Sequence, residues 1–274
     1  MKLDKKWLID AFDHAAPRYD AAAKVQQEIR FRLLERLEFL LIQPHIIVDV
    51  GCGTGTLGRE LQFRFPDAQM IGIDISSGMI KEAQKHSPNA QFLCADAMQI
   101  PLPDQSVDLL VSNLMLQWVD DFNAVFQEWA RILKPNGTLL FTTFGPDTLY
   151  ELQSSWAQVD GFDHVNHFID LHTLGDGLAA AGFRHPVMDA DRLTQTFPNV
   201  LNIMKHLKTI GAHNVNQGRS KGLLGKEKFQ AVLRAYETYR QDDIYPATYE
   251  VVYGYAQGVV IQELGTFPLK FQPR

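Results

Sequence analysis

The stretch Ile46-Ile47-Val48-Asp49-Val50-Gly51-Cys52-Gly53-Thr54-Gly55-Thr56-Leu57-Gly58 decides how this chain is read. Its first five residues are apolar and β-branched apart from one acid, the length and composition of a buried strand. A glycine-rich run then breaks the strand, and a helix is expected over 57–65, ending near Pro66. Lacking Cβ atoms, glycines between strand and helix let the backbone reverse sharply and let a ligand approach the main chain closely. The spacing is read against a dinucleotide fingerprint. A G-x-G-x-x-G starting at Gly51 meets Thr56 where its third glycine belongs, and the acid Asp49 sits inside the strand, two residues before the first glycine.

Outward from this turn, short apolar runs alternate with amphipathic ones. Strands are expected over 69–75, 91–95, 107–113 and 138–144, with helices over 77–86 and 121–133 between them. Upstream, residues 21–41 place Val25, Ile29, Leu33, Leu37 and Leu41 at i, i+4 spacing, a helix with Asp20 as its candidate N-cap. Beyond Phe144 helical segments are expected over 147–159, 171–181, 199–211 and 226–241, and strands over 186–197 and 249–256. Strands alternating with helices imply βαβ units. The fold class expected is α/β, Rossmann-like: a mostly parallel seven-stranded sheet with helices on both faces and a helical lid. Three parts are expected: an N-terminal helical segment over 1–44, a cofactor-binding core over 45–145, and the rest of the sheet with lid insertions over 146–274. A lid over the carboxyl edge of the strands would cover the place where open α/β sheets bind ligands.

Composition narrows the partners. A net charge of −6 argues against general nucleic-acid binding, which calls for a basic surface. The longest apolar runs are far too short to span a membrane, and the opening MKLDKKWLIDAF lacks the apolar core of a signal peptide, so a cytoplasmic protein is expected. Cys52 and Cys94 are too few for a disulfide framework and both read as small buried residues. From Lys205 to Arg234, seven basic residues stand against the single acid Glu227, either a solvated helical face or a docking surface.

The octet Val48–Gly55 resembles motif I of the class I S-adenosylmethionine-dependent methyltransferases. The resemblance makes Asp49, Gly51, Cys52, Gly53 and Gly55 cofactor-binding candidates. Asp74 closes the second strand, where a carboxylate can accept two hydrogen bonds from a ribose diol. By the same resemblance Ile75 packs on adenine, Asp96 faces its exocyclic amine with Ala97 and Met98 alongside, and Ser112 and Asn113 line the methionyl end.

Further segments are more restrictive than motif I. FDHAAPRYDAAAKVQ (12–26), WVDD (118–121), GPDTLYEL (145–152), HVNHFIDLHTLGDGL (164–178), AGFRHPVMD (181–189) and PATYEVVYGYA (246–256) together resemble the BioC family, the malonyl-acyl carrier protein O-methyltransferases of biotin synthesis. Part of this pattern is similar also to an assembly factor of respiratory complex I that hydroxylates a protein arginine. A small-acid carboxyl methyltransferase of the trans-aconitate kind, which also carries Q-W-V after the fourth strand, is the other alternative. The BioC resemblance implies S-adenosyl-L-methionine as cofactor and a malonyl-loaded acyl carrier protein as partner; such carriers are small and acidic, which makes the basic stretch a candidate docking face beside its reading as a solvated helical face.

A malonyl carboxylate is ionised at neutral pH and can attack a sulfonium methyl without a general base. Catalytic candidates are therefore groups that align and shield: Tyr19, closing from the N-terminal side, and Gln117 and Trp118, leaving the fourth strand. Arg18, Arg184 and Arg192 stay open as carboxylate ligands. His164, His167 and His172, with Asp163 and Asp170, match no metal box and are expected to hydrogen-bond within the lid; no metal is expected.

Overall fold

The structure, a computed structural model, describes residues 4–88, 90–212 and 225–259. Three helices lead in: α1 (Lys5–Ala15), started by the Asp4 carboxylate on the Trp7 amide, then α2 (Tyr19–Ala22) and α3 (Lys24–Leu37). Next come β1 (Ile46–Val50), α4 (Thr56–Arg64), β2 (Gln69–Asp74), α5 (Ser77–His86), β3 (Gln91–Cys94), β4 (Val107–Asn113), α6 (Phe122–Ile132) and β5 (Leu133–Phe144). The remainder is α7 (Tyr150–Ala157), α8 (Leu171–Ala180), β6 (Arg184–Phe197), α9 (Val200–Thr209), α10 (Lys226–Tyr236) and β7 (Tyr245–Gln257).

The strands form one seven-stranded sheet in the order β3-β2-β1-β4-β5-β7-β6. β1 to β5 pair in parallel, while β7 runs antiparallel between β5 and β6. The chain winds outward from β1 toward β3 and then returns to β4 on the other side. The crevice at the carboxyl ends of β1 and β4 is thus the switch point at which such sheets bind ligands.

Alternation along the strands splits the core in two. Ile47, Leu109, Val111 and Leu140 face one layer, built with Ile29 and Leu33 of α3, Leu61 of α4, Trp156 of α7, Ile203 of α9 and Val232 of α10. Val48, Leu110, Leu139 and Phe141 face the other, where Phe126 and Trp129 of α6 and Leu174 of α8 are buried. No helix among the described residues is long and apolar enough to cross a membrane.

Three local expectations need correction. The helix expected over 21–41 is two: the chain breaks at Ala23, α3 starts without a side-chain cap, and Leu41 lies outside it, fully exposed. Asp20 does not cap that helix; its carboxylate accepts from the Thr54 hydroxyl at 2.7 Å and ties the N-terminal segment to the glycine turn. Cys94 is exposed, because β3 is an edge strand covered on its inner side only, whereas Cys52 is buried as expected.

Candidate active site

The glycine turn is held by the neighbouring strand. The amides of Gly51 and Cys52 both donate to the Ile73 carbonyl, at 2.7 and 2.9 Å. Gly51 has φ +76°, and a Cβ there would lie 2.5 Å from Cβ and Cγ of Met115. Gly53 has φ +53°, but a Cβ there meets nothing within 4 Å, so its bare side faces open space. Both positions need glycine for conformation; Gly53 adds an unobstructed approach to the backbone. Glycine spacing alone does not separate the cofactor classes, however, because Gly53, Gly55 and Gly58 also satisfy G-x-G-x-x-G. The buried acid at Asp49 is the sharper signal.

Asp74 ends β2 and reaches across the turn: the Gly53 amide donates to its Oδ2 at 2.9 Å and the Ser76 amide to its Oδ1 at 2.8 Å. Burial outweighs these bonds and raises its carboxyl to about 6. The helix-capping role falls instead to Ser76, whose hydroxyl accepts from the Met79 amide at 3.0 Å and donates to Asp13 of α1 at 2.5 Å. Asp49, 1% exposed, has an Oδ2 with no hydrogen-bond partner. Burial, reinforced by the Asp74 charge, pushes its carboxyl up to about 7.

A cleft of about 810 Å³ collects Gly51, Gly53, Asp74, Ile75, Asp96, Ala97, Met98 and Asn113 with Tyr19 and Trp118. Asp49 and Cys52 lie behind the turn, on a recess of about 460 Å³ that Tyr19 and Asn113 also line. Gly55 lines neither and packs against Ala83 and Phe92. At the end of the cleft near β3, Asp96 accepts from the Met98 amide at 3.1 Å and pairs with Lys5 of α1. At the other end, the Ser112 hydroxyl donates to the Val50 carbonyl and the Asn113 side-chain oxygen accepts from Thr142.

A second chamber of about 660 Å³ adjoins the cleft through Phe12, Tyr19, Leu114 and Trp118, which line both. Gln117 is fixed in its wall, its amide donating to the Leu114 carbonyl at 2.7 Å and accepting from Thr143 at 3.1 Å. Phe12 meets Trp118 edge-on at 5.3 Å, closing α1 over the junction. Leu114 and Leu149, both at φ 56°, are non-glycine residues in the left-handed region, a strain that gathers at functional sites.

Sequence reasoning missed most of this chamber. Gln26, Leu149, Asn166, Tyr249 and, from the end of α9, Leu207 and Ile210 arrive from five different parts of the chain. Gln26 Oε1 and the Tyr249 hydroxyl are buried without partners. Arg18, Arg184 and Arg192 are exposed and line neither space. The lid histidines do not converge either: His164 pairs with Asp160 at 2.8 Å and His167 with Asp163 at 3.1 Å. Among the described residues, no group of three or more His, Cys, Asp or Glu could hold a metal ion.

A family model described as a methyltransferase domain matches residues 48–141. The malonyl-[acyl-carrier protein] O-methyltransferase of Gallionella capsiferriformans (strain ES-2) is 45% identical over 263 residues, 93% of this chain and 91% of that protein. The chain belongs to the malonyl-[acyl-carrier protein] O-methyltransferase family. The family member from Methylovorus sp. (strain MP688) is 42% identical over 99% of this chain and 96% of that protein. Among solved structures, Haemonchus contortus phosphoethanolamine N-methyltransferase 2, in complex with S-adenosyl-L-methionine, is similar with a TM-score of 0.52. At 17% identity over 84% of this chain and 52% of that one, the likeness is of fold. The expected Rossmann-like methyltransferase class holds.

Proposed function

We propose that the protein transfers the methyl group of S-adenosyl-L-methionine to the free carboxylate of a malonyl group carried on acyl carrier protein. The observation that carries this reading is the junction itself: a cleft built on Asp74 and the glycine turn adjoins, at Tyr19, Leu114 and Trp118, a second, largely apolar chamber. Two features fit the cofactor. An orphaned, buried Asp49 carboxylate oxygen awaits a cation, and the bare side of Gly53 leaves room for a ligand against the main chain.

When bound, the cofactor supplies a sulfonium methyl open to in-line displacement by an oxygen. Asp74 and Asp96 would hold the ribose and adenine, with Ile75, Ala97 and Met98 packing on the ring. Asp49, Cys52 and Asn113 would serve the methionyl end, and Gly51 and Gly55 shape the turn. Tyr19 and Trp118 would seal the junction, and Gln117, fixed at both ends of its amide, would keep Leu114 in place. The described polar groups around the chamber are Tyr19, Gln26, Gln117, Thr148, His164, Asn166 and Tyr249. Neutral donors suffice to orient a carboxylate while leaving it a competent nucleophile. Its negative charge and the positive sulfonium cancel as the reaction proceeds, so a dry, apolar wall favours the transition state over the separated charges. No proton has to move.

The carrier would dock on the basic stretch. Lys205 and Lys208 on α9 and Lys226, Lys228 and Arg234 on α10 are all exposed, while Arg219 and Lys221 lie outside the described residues. Such a face acts mainly on encounter and is screened over about 10 Å at 0.1 M salt. Replacing Lys205, Lys208 and Lys226 together by Glu should lower kcat/KM for the carrier-bound substrate far more than for malonyl-CoA, with the gap narrowing as salt rises. Equal losses would remove the docking role.

The reaction is tested by supplying methyl-labelled cofactor with malonyl-carrier protein, malonyl-CoA, free malonate or trans-aconitate. Preferential labelling of the carrier-bound malonyl group is expected. A free diacid outrunning both thioesters would instead support a small-acid methyltransferase.

A further inference from the structure

A third space lies on the far side of the chamber from the cofactor cleft. It is an open groove of about 710 Å³ between α7, which contributes Gln153, Trp156 and Ala157, and the segment that follows it, where Gly161, Phe162 and His167 face in. His164 and Val165 line both the groove and the chamber, so the two spaces adjoin there.

That junction is anchored to the basic face. The His164 imidazole stacks on the Trp156 indole with ring centroids 3.6 Å apart and planes 11° from parallel. Its Nε2 meets Asp160 Oδ1 at 2.8 Å, and the other oxygen of Asp160 accepts from Lys228 of α10 at 3.2 Å. The Lys228 ammonium also lies 6.0 Å from the centre of the Phe162 ring. Adjoining spaces therefore run from the groove beside the cationic helix, past His164 and Val165, into the chamber and on to the cofactor cleft.

We infer that this groove is the channel through which the phosphopantetheine thioester arm of the carrier reaches the chamber. The inference rests on the malonyl-carrier reading and deepens it. A substrate tethered to a protein too large to enter must present its malonyl group on a long, narrow arm. That arm is a chain of methylenes broken by two amides and ending in a phosphodiester. The groove offers flat apolar surface at Trp156 and Phe162 and side-chain hydrogen-bonding groups at Gln153 and His167 for the methylenes and amides of the arm, while Asp160 and Asp163 also line it and Lys228, paired with Asp160, stands beside it. A free diacid has no need of such a route.

Gly161 gives a clean handle. An added Cβ there meets nothing within 4 Å, and its backbone is outside the left-handed region, so a side chain can be installed without strain. Gly161→Trp fills the groove. Activity is measured on malonyl-carrier protein, on malonyl-pantetheine and on a short S-methyl malonyl thioester. The arm-bearing substrates should lose at least tenfold more kcat/KM than the short thioester, while calorimetry shows unchanged affinity for S-adenosylhomocysteine. A second readout needs no turnover: in Gly161→Cys, saturating malonyl-pantetheine should slow alkylation at position 161, followed by mass spectrometry. Parallel losses on all three substrates, or no protection of the cysteine, overturns the channel. If the wild-type protein methylates none of the malonyl thioesters, the reading of the reaction fails and the channel with it. If wild type methylates them and Gly161→Trp changes nothing, only the channel fails.

Discussion

The cofactor cleft and the substrate chamber share four residues, yet they are built in opposite ways. The cleft is made from consecutive strand-to-helix turns: Gly51 to Gly55 after β1, Asp74 and Ile75 after β2, Asp96 to Met98 after β3 and Asn113 at the end of β4. Each turn keeps its ligand-facing groups within a few residues, and apart from the orphaned Asp49 oxygen their polar atoms hold one another through short hydrogen bonds. The chamber combines short runs at 114–118, 148–152, 164–168 and 207–212 with single residues of α1, α2, α3, β5 and β7, and its polar atoms include two with no partner. A turn can be specified locally, so one cleft serves a whole superfamily. A chamber assembled from distant helices can be reshaped one residue at a time, which is where substrate choice can diverge.

If the division is real, substitutions should separate binding of the cofactor from handling of the substrate. The largest effect is expected from Gly51→Val. A β-branched residue at φ +76° facing Met115 combines backbone strain with overpacking, together about 2 kcal/mol or more. Relief requires the turn to move, so S-adenosylhomocysteine affinity should fall at least about thirtyfold by calorimetry. Retained affinity in a folded variant would blur the comparison.

Asp74→Ala comes next. It removes charge-assisted acceptors worth roughly 1.5–3 kcal/mol each and frees the Gly53 and Ser76 amides, so affinity should drop about tenfold or more with the fold intact by circular dichroism. An unchanged dissociation constant would take Asp74 out of the cofactor site.

The pH dependence of the cleft sharpens the contrast. Burial raises Asp49 to about 7 and Asp74 to about 6 in the free protein. Between the ordinary carboxylate range and those values the folded state holds more protons than the unfolded one, so these groups make stability fall as pH rises from about 4 toward 7. The ligand's ammonium favours the ionised form of Asp49, and its ribose hydroxyls, as donors, that of Asp74. Affinity for S-adenosylhomocysteine should accordingly weaken as pH is lowered from 8 to 6, by up to about tenfold per proton taken up per pH unit. A flat profile would show that Asp49 does not face the ammonium.

The smallest effect belongs to the chamber. Tyr249→Phe deletes one buried, unpartnered hydroxyl, so it should leave cofactor affinity and stability almost unchanged and raise KM for the malonyl substrate about three- to tenfold, the worth of a single neutral hydrogen bond of about 1 kcal/mol. No change in KM would place the hydroxyl outside the substrate's reach.

Legibility followed the same division. β1 to β5 were readable because inward residues such as Ile47, Leu109 and Leu140 alternate with partners on the opposite layer, and the cleft came with them because its residues sit in the turns between those strands. The chamber left little local trace: Leu114 and Leu149 adopt positive φ with nothing in a leucine to announce it, and Tyr249 and Gln26, more than two hundred residues apart in the chain, line the same space. Cys94 was misread because an apolar run does not reveal which strand ends at the sheet edge. Asp20 was misread because capping geometry is local, whereas its actual partner, Thr54, is tertiary.

The central claim is that a cleft presenting the methyl and an apolar chamber presenting an ionised carboxylate suffice, with no group moving a proton. It is tested most directly by kcat for malonyl-carrier methylation against pH, with cofactor and substrate both saturating so that Asp49 and Asp74 stay ionised. Catalysis by alignment predicts a rate nearly flat from about pH 6 to 8, since the malonyl carboxylate is already ionised throughout. A rise with an apparent pKa near that of histidine, abolished in His164→Asn, would contradict it.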